Sequence, residues 1–332
     1  MLKNIKQMKK PYIIAEIGSN HNGSMKIAKK TILKAIEAGA DCVKFQSFSP
    51  QSLFTKDMLN KNLQLKKEVF KYSLSPKKIE ILADFCKKKS IDFASTPFSD
   101  EELNFLTKKI KVKFIKIASM DLNNYQFLEK VAKTKKTVFI STGMAKYDEI
   151  VRAVKIFRKH GSKIVLLHCV AMYPADKKFL NLKKILLLKQ KFKCEIGYSD
   201  HSIGPYACIT AAALGAKVIE KHFTLDKKMA GWDHELSADK EELKNIINAC
   251  KDIPNMLGKK TFKIVESKQQ IKAFRRSIVA KHNLKKGKII KESDLDFKRP
   301  GNGLSPENIK KLIGKKLRHN INFDQQLKFK NF

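Results

Sequence analysis

Apolar, β-branched segments alternate with longer amphipathic segments along the first 258 residues of the chain. The first pair is Tyr12–Ile17 and the stretch from Ser24 to Ala38, whose helical stripe consists of Ile27, Ala28, Ile32, Ala35 and Ile36. Seven further strand candidates, each followed by a helical pattern, are residues 42–45, 92–95, 114–117, 137–141, 164–168, 195–198 and 218–221. Eight alternating units predict a parallel sheet closed into a (β/α)8 TIM barrel.

Local signals support these units. Ser24 and Ser75 are predicted helix starts, Ser99–Glu102 is predicted to form a capping box, and Gly39 is placed to end the first helix. The stretch before residue 75 is expected to be a long polar connection. An open, doubly wound sheet is the alternative, but it would require a G-x-G-x-x-G fingerprint after the first strand, which residues 16–23 lack.

The pattern changes after Gly258. Residues 259–274 are polar and lysine-rich and are predicted to be a linker or surface helix, so the barrel occupies residues 1–258. In residues 275–332, β-type runs at Ser277–Ala280 and Lys288–Ile290 are separated by turn residues, which predicts a second, small domain. A domain of this size holds little core of its own, so we expect it to lean on the barrel or on a neighbouring subunit.

The chain has 332 residues, 43% of them apolar, and its 69 Lys and Arg against 32 Asp and Glu give a formal net charge of +37. Only six of the basic residues are Arg, and the lysines are spread over predicted helix surfaces. Because Arg is the residue that pairs with guanine and stacks on bases, this distribution does not indicate a nucleic-acid partner. A positive field would instead attract an anionic substrate.

Nothing in the pattern indicates a membrane or an exported protein. No apolar run of about 18 residues occurs, and the basic residues 1–11 lack the apolar stretch of a secretory signal. We therefore expect a cytoplasmic protein whose six cysteines are reduced, with no CxxC pair for a disulfide or a zinc site.

Polar side chains gather where the predicted strands end, which in a barrel is the edge that carries the chemistry. Two lysines and several hydroxyls suit a phosphate or carboxylate anion; they are Lys44, Lys116, Thr96, Ser119 and Ser199. A strand end has no packing reason to carry a charge, since an unpaired buried charge is costly. The set therefore predicts a site rather than a core.

Two histidines, His201 beside Asp200 and His222 after the eighth strand, follow adjacent strands, so their rings can converge on one divalent metal. Imidazole pairs completed by water suit Mn²⁺, with Mg²⁺ or Co²⁺ as alternatives, in a partly open site. Glu16, at the end of the first strand, is a carboxylate that could act as a general base or bind sugar hydroxyls.

Residues 15–23 (AEIGSNHNG) and 38–46 (AGADCVKFQ) resemble the opening of the sialic acid (nonulosonic acid) synthase family. The likeness continues through Ser95–Phe98, Lys116–Ser119, Ser141–Met144, Ser199–His201 and Glu220–Thr224. Residues 275–277 and 298–303 are similar to parts of the family's antifreeze-like (SAF) domain, which has a β-clip-like fold. The resemblance thus runs nearly from end to end and implies a barrel followed by a SAF domain.

The resemblance implies a reaction. Members condense phosphoenolpyruvate with an open-chain N-acylated aminohexose to a nine-carbon 2-keto sugar acid, releasing phosphate by C–O bond cleavage, while a divalent metal polarises the sugar aldehyde. It also implies a domain-swapped homodimer, in which Arg299 reaches from one subunit's small domain into the other subunit's barrel.

The same resemblance assigns roles to residues. The phosphoenolpyruvate-binding positions are Lys44, Thr96, Lys116, Ser119 and Ser199, and the metal ligands are His201 and His222. The predicted catalytic residues, with Glu16 or Asp233 as the proton carrier, are Glu16, Lys44, Gln46 and Asp233. The predicted sugar-binding residues are Asn20, Asp121, Tyr173, Asp233 and Arg299.

Departures from the family's pattern leave the sugar open. Asp121 stands where many relatives have Glu, and Trp232, the only tryptophan, stands in Gly-Trp-Asp where relatives have Gly-Pro-Asp. The residues before Tyr173 also lack the Asn of the neuraminate type. The candidates are N-acetylmannosamine and the diacetamido-trideoxyhexoses that lead to legionaminic or pseudaminic acid.

Other functions remain as alternatives. A synthase acting on a sugar phosphate would need extra arginines, and residues 1–258 contain only Arg152 and Arg158, both in a predicted helix. A non-catalytic carbohydrate-binding protein would not need both lysines and both histidines, and a polyanion-binding surface protein rests on net charge alone.

Overall fold

The computed structural model describes Ile5 and residues 7–332, and the chain divides into two compact units, Met1–Gly258 and Lys259–Phe332. The basic start of the chain, for which no secretory signal is expected, lies partly outside the described residues. Within the described part of the chain, no helix is both long enough and apolar enough to cross a membrane. The six cysteines are all free.

Eight parallel strands form the barrel that the alternation predicts. They are β1 (Tyr12–Gly18), β2 (Cys42–Ser47), β3 (Asp92–Pro97), β4 (Phe114–Ile117), β5 (Thr137–Ser141), β6 (Ile164–Cys169), β7 (Glu195–Asp200) and β8 (Val218–His222). β1 pairs with both β2 and β8, and the two ends of the series, β3 and β4, lie in contact. Six strands run one or two residues farther than the apolar pattern predicts, because backbone pairing continues into polar residues such as Gln46 and Thr96.

A helix follows every strand. The helices of this unit are α1 (Met25–Ala38), α2 (Pro50–Leu53), α3 (Lys56–Lys61), α4 (Leu63–Tyr72), α5 (Pro76–Lys88), α6 (Asp100–Asn104), α7 (Tyr125–Lys133), α8 (Tyr147–Lys159), α9 (Lys184–Phe192), α10 (Tyr206–Ala213) and α11 (Lys240–Leu257). The long polar connection expected between β2 and α5 contains three helices that the sequence analysis did not predict, α2, α3 and α4. Each of these helices starts at a side-chain cap (Ser49, Thr55 and Asn62). With four and six residues, α2 and α3 are too short to show helical periodicity, and α4 buries Val69 and Tyr72 but no longer apolar stripe.

The helix starts at Ser24 and Ser75 form as predicted. The Ser24 hydroxyl accepts a hydrogen bond from the backbone N–H of Ile27, and the Ser75 hydroxyl accepts one from the backbone N–H of Lys78. Gly39 ends α1 in the left-handed conformation, at φ 92°. Only one of the two hydrogen bonds of the predicted capping box at Ser99 forms. The Ser99 hydroxyl caps Glu102 N, but the Glu102 carboxylate accepts instead from the backbone N–H of Phe98 and of Ser49.

Alternate residues of each strand point into the barrel, and their character changes along the strand. The lower interior is one apolar cluster that includes Ile14, Phe114 and Phe139. Two residues farther along, on the same face of each strand, stand Glu16, Lys116 and Ser141. The intervening residues face the helices and form the main core. The barrel is therefore filled by apolar side chains below and carries a polar layer at the carboxyl ends of its strands.

The second unit contains α12 (Lys268–Phe274), the antiparallel pair β9 (Ser277–Ala280) and β10 (Leu295–Lys298), and α13 (Ile309–Leu312). The β-type run at Lys288–Ile290 does not become a strand: Ile289 makes an isolated antiparallel bridge to Lys316, flanked by backbone hydrogen bonds from Ile290 N to Lys315 O and from Leu317 N to Lys288 O. Apolar side chains of this unit form a cluster of their own, in which Ile278, Leu312 and Leu327 are at most 1% exposed.

Candidate active site

A cavity of about 520 Å³ opens at the carboxyl ends of the barrel strands. Each of the eight strands contributes at least one wall residue, in order Glu16, Lys44, Thr96, Lys116, Ser141, Cys169, Ser199 and Glu220, and β2 and β8 each add a second, Gln46 and His222. Most of the residues that the sequence predicts for the site also line it, namely Glu16, Lys44, Gln46, Thr96, Lys116, Ser119, Tyr173, Ser199, His201, His222 and Asp233. The fold thus brings together residues that are up to 217 positions apart in the chain.

Two lysines and two carboxylates form the floor of this cavity. Lys44 Nζ lies 2.7 Å from Glu16 Oε2 and 3.6 Å from Glu220 Oε2, and Lys116 Nζ lies 3.6 Å from Glu220 Oε1. All four side chains are at most 6% exposed. A buried lysine without a counter-charge would lose its proton, so the carboxylates keep two positive charges inside the barrel.

The two carboxylates have opposite pKa shifts. Burial raises the pKa of Glu16 to about 7, because Lys44 only partly offsets the loss of water. Burial would also raise the pKa of Glu220, but Lys116, Lys44 and a hydrogen bond from Ser199 together lower it to about 2. Glu220 therefore remains a fixed negative charge at neutral pH, whereas Glu16 can take up or release a proton.

Hydroxyl groups surround the lysines. Lys44 Nζ donates to Thr96 Oγ1 at 3.2 Å, and Lys116 Nζ donates to Ser141 Oγ at 2.8 Å. Ser119 Oγ accepts from the backbone N–H of Gly143, which leaves its own proton free to donate. Two cations and several short donors at one end of the cavity are the groups that a phosphate or carboxylate requires.

His201 and His222 lie at the rim beside this cluster, with ring centroids 5.4 Å apart. His201 Nδ1 is 2.8 Å from the carbonyl oxygen of Val170. A carbonyl can only accept, so Nδ1 carries the proton and Nε2 keeps a free lone pair. The buried His222 Nδ1 has no hydrogen-bond partner. Burial, with the neighbouring His222, lowers the pKa of His201 to about 4, and burial, with Lys44, lowers that of His222 to about 3, so both rings are neutral.

These histidines fit a divalent metal. Two neutral imidazoles with available lone pairs are suitable donors for Mn²⁺ or a similar ion. Asp233 Oδ2 lies 3.7 Å from His222 Nδ1 and accepts a hydrogen bond from Ser19 at 3.1 Å. Across the described residues, no three His, Cys, Asp or Glu side chains form a complete metal cage. The protein would thus supply two ligands and leave the other positions to water or substrate.

Three predicted sugar-binding residues lie outside the cavity wall. The Asn20 side chain, 1% exposed, donates to Phe223 O and to Ser237 Oγ, and so holds the segment after β8 against β1. Asp121 stands next to the wall residue Met120, and burial raises the pKa of its carboxyl to about 6. Arg299 belongs to the second unit, where its guanidinium lies over the ring of Phe274. Their sugar-binding roles stay predictions.

The sequence assigned no role to Glu220 or Ser141, both of which contact Lys116. Strand periodicity could have found them, because each lies two residues beyond a buried interior position on its own strand. The neighbouring Lys221 does not belong to the site. Its ammonium is fully buried in an ion pair with Asp200 at 2.8 Å, on the opposite face of β8.

Comparisons with known proteins identify the family and its domains. The profile of the NeuB family matches residues 31–262, and the profile of the SAF domain matches residues 275–332. The chain is 41% identical over 334 residues to the N,N'-diacetyllegionaminic acid synthase of Campylobacter jejuni, which covers 97% of this chain and 100% of that protein.

Two further relatives extend the comparison. The chain is 35% identical to the pseudaminic acid synthase of Campylobacter jejuni, over 99% of this chain and 98% of that one. Among solved structures, it is similar to the N-acetylneuraminic acid synthetase of Leptospira borgpetersenii, with a TM-score of 0.71 and 37% identity over 79% of this chain and 90% of the other.

Proposed function

The chain belongs to the NeuB family, and we propose that it is a nonulosonic acid synthase that condenses phosphoenolpyruvate with an open-chain N-acylated aminohexose to a nine-carbon 2-keto sugar acid. The relatives named above are synthases of legionaminic, pseudaminic and N-acetylneuraminic acids. One observation carries the proposal: a buried pair of lysines with hydroxyl donors lies directly beside two neutral histidines in a single cavity.

Lys44 and Lys116 bind the anionic groups of phosphoenolpyruvate in this proposal. Thr96, Ser119 and Ser199 are the hydroxyls that orient its phosphate and carboxylate oxygens. Glu220 holds both lysines charged in the absence of substrate. Because the groups are buried and fixed by hydrogen bonds, binding needs little rearrangement and the anion is shielded from water.

His201 and His222 would hold the divalent metal, with Asp233 close enough to orient a ligand water. A metal held there supplies a Lewis acid that polarises the carbonyl oxygen of the sugar. Carbon 3 of phosphoenolpyruvate would then attack the sugar carbonyl carbon, and water would add at carbon 2. Glu16 would take the proton of that water, since its pKa of about 7 allows both protonation states. Loss of phosphate with the bridging oxygen completes C–O cleavage.

The cavity wall contains large apolar side chains, which supports a diacetamido-trideoxyhexose over N-acetylmannosamine. They are Leu53, Phe54, Phe98, Met120, Met144 and Trp232. Methyl groups of two acetamido substituents and of a deoxygenated carbon gain about 0.8 kcal/mol for each buried carbon, whereas a hydroxyl placed there loses its hydrogen bonds to water. Among the described wall residues, the lysine and arginine cations are Lys44 and Lys116, both paired with carboxylates, so the wall of one subunit offers no further cation for the phosphate of a phosphorylated sugar.

The test is release of phosphate from phosphoenolpyruvate by the full chain with Mn²⁺ and a panel of sugars. The panel contains N-acetylmannosamine, its 6-phosphate and diacetamido-trideoxyhexoses of different configuration. We expect release only with an aminosugar, and fastest with a diacetamido-trideoxyhexose. Sugar binding without phosphate release from any member would instead indicate a non-catalytic carbohydrate-binding protein. Phosphoenolpyruvate labelled with ¹⁸O at the bridging position should yield labelled phosphate, and unlabelled phosphate would contradict C–O cleavage.

We also propose that the protein is a cytoplasmic, domain-swapped homodimer in which Arg299 reaches the partner's cavity. Arginine is well suited to bind a carboxylate of the substrate, and the cavity wall itself contains none. Mixing Arg299→Ala subunits with His201→Ala subunits should raise activity above that of either variant alone, since one site of the mixed dimer is then intact. If the two variants are shown to exchange subunits and activity still does not rise, the proposal is wrong.

A further inference from the structure

The helices α2, α3 and α4, residues 50–72, form a layer outside the eight strand–helix units, which we call the cap. It has an apolar cluster of its own, in which Phe48, Leu59, Val69 and Tyr72 are buried and Leu53, Phe54, Leu65 and Phe98 pack against them. Three of these residues, Leu53, Phe54 and Phe98, also line the cavity. The cap cluster is therefore one wall of the candidate active site.

Trp232 connects the cap to the segment between β8 and α11. Its indole Nε1 donates to Glu68 Oε2 at 2.7 Å, and its ring meets that of Tyr72 edge-on, with centroids 4.8 Å apart. Glu68 and Tyr72 are four residues apart on α4 and so share one face of the helix. Hydrogen bonds from Trp232 and Gln64 lower the pKa of Glu68, which keeps the acceptor charged at neutral pH.

The next residue, Asp233, is fixed from the opposite side. Ser19 donates to its carboxylate, and Ser237 donates to its backbone oxygen at 2.6 Å. Upstream, Asn22 donates to Ala230 O at 3.0 Å. These contacts tie the segment to the loop after β1 and to the start of α11, but not to the cap. The side chain of Trp232 is thus a direct side-chain link between the cap and the carboxylate beside His222.

The backbone around Trp232 has little freedom to adapt. A Cβ added at Gly231 would lie 2.6 Å from His234 Cδ2 and 2.9 Å from Asn22 Oδ1, so only glycine permits this close approach. His234 is itself hydrogen-bonded to Thr224 at 2.6 Å. With one neighbour clamped on each side, a shift of the indole is transmitted to Asp233 rather than absorbed by the chain.

We propose that Trp232 is a positioning residue that, through its hydrogen bond to Glu68, couples the cap to the placement of Asp233. The proposal rests on the proposed function only for its activity readout. The indole lies in the cavity wall and is 37% exposed there, so a sugar that contacts the cap also meets the residue that sets Asp233. Glu68 acts from outside the cavity wall and touches neither substrate in this arrangement.

The experiment compares Glu68→Ala, which removes the acceptor, with Glu68→Gln, which keeps an amide oxygen at the same reach, and Trp232→Phe, which keeps a ring but removes the N–H. Lys67→Ala, on the same helix, is the matched control. Because Trp232 is the only tryptophan, intrinsic fluorescence reports on it without any substrate. We expect Glu68→Ala to show increased acrylamide quenching and a red-shifted emission, and Glu68→Gln to resemble the wild type.

In steady-state assays, Glu68→Ala and Trp232→Phe should lower kcat and raise the sugar KM by up to about tenfold, which corresponds to one lost hydrogen bond. The KM for phosphoenolpyruvate should stay within twofold, and Glu68→Gln should recover most of the loss. Wild-type quenching and kinetics in Glu68→Ala, or an equal loss in Lys67→Ala, would overturn the proposal. If the wild type has no synthase activity, the proposed function fails while the quenching comparison still decides the coupling.

Discussion

Replacing Lys116 by Met is expected to weaken phosphoenolpyruvate binding strongly while leaving the barrel folded. Lys116 is 3% exposed, and its Nζ lies 2.8 Å from Ser141 Oγ and 3.6 Å from Glu220 Oε1. Met fills nearly the same volume but carries no charge. The perturbation therefore removes one cation from the anion-binding floor without opening a cavity.

The magnitude follows from burial. Truncating one partner of a buried, hydrogen-bonded charge pair costs about 2–5 kcal/mol of binding, or about 30-fold to several thousand-fold in the dissociation constant for phosphoenolpyruvate. Folding should respond quite differently. Burial lowers the pKa of Lys116, which means that the folded chain disfavours its charge. Glu220 keeps Lys44 and the Ser199 hydroxyl as partners, so we expect an unchanged or slightly raised Tm.

Titration calorimetry with phosphoenolpyruvate, steady-state phosphate release and thermal melts would measure these effects. Lys113→Met is the matched control, because Lys113 precedes the other end of β4 and pairs with Asp92 at a site where its side chain is 54% exposed. A dissociation constant within twofold of the wild type in Lys116→Met would refute the assignment of the anion site. An equal loss in Lys113→Met would show that the effect is not local.

Three other predictions test separate parts of the structure. His201→Ala and His222→Ala should each abolish metal-dependent turnover and Mn²⁺ binding in calorimetry, and full activity after exhaustive chelation would count against the metal. Arg299→Ala should lower turnover with the barrel's melting transition intact; unchanged kinetics would remove its role. In the second unit, Lys288 and hydrogen bonds hold the pKa of buried Asp294 below its usual value. That stabilisation is present above about pH 4 and is lost as the pH falls through the folded-state pKa, so Asp294→Asn should lower Tm at pH 7 but not in strong acid.

Much of the fold was predictable from the sequence for a simple reason. Strand and helix patterns depend on local periodicity, and each strand–helix unit carries its own. The short helices α2 and α3 were missed because four to six residues do not establish a period, and α4 because Val69 and Tyr72 alone do not form an apolar stripe, although the caps of all three were visible. The Ser-x-x-Glu spacing of residues 99–102 predicted that the Glu102 carboxylate would accept from the backbone N–H of Ser99. The same spacing allows the carboxylate to accept instead from the backbone of Phe98 and Ser49, as it does here.

The sequence predicted most of the residues that line the candidate site, but not which of their charged groups form ion pairs with one another. Polar residues at strand ends could be identified one strand at a time, and barrel topology requires those ends to meet. Which charges neutralise one another depends on distances across the barrel, and no local pattern contains them. Glu220 between Lys44 and Lys116, and the contrast between its pKa and that of Glu16, became visible only in three dimensions.

The sequence by itself determined the alternating architecture, the family and the polar residue types at the carboxyl ends of the strands. Tertiary structure decided that Glu68 on α4 accepts a hydrogen bond from Trp232, 164 residues later, and that Asn20 anchors the segment after β8 rather than lining the cavity. The physical reason is range. Backbone propensity and side-chain period act over a few residues, whereas charge pairing, desolvation and cavity shape are set by atoms a few ångströms apart in space, whatever their separation along the chain.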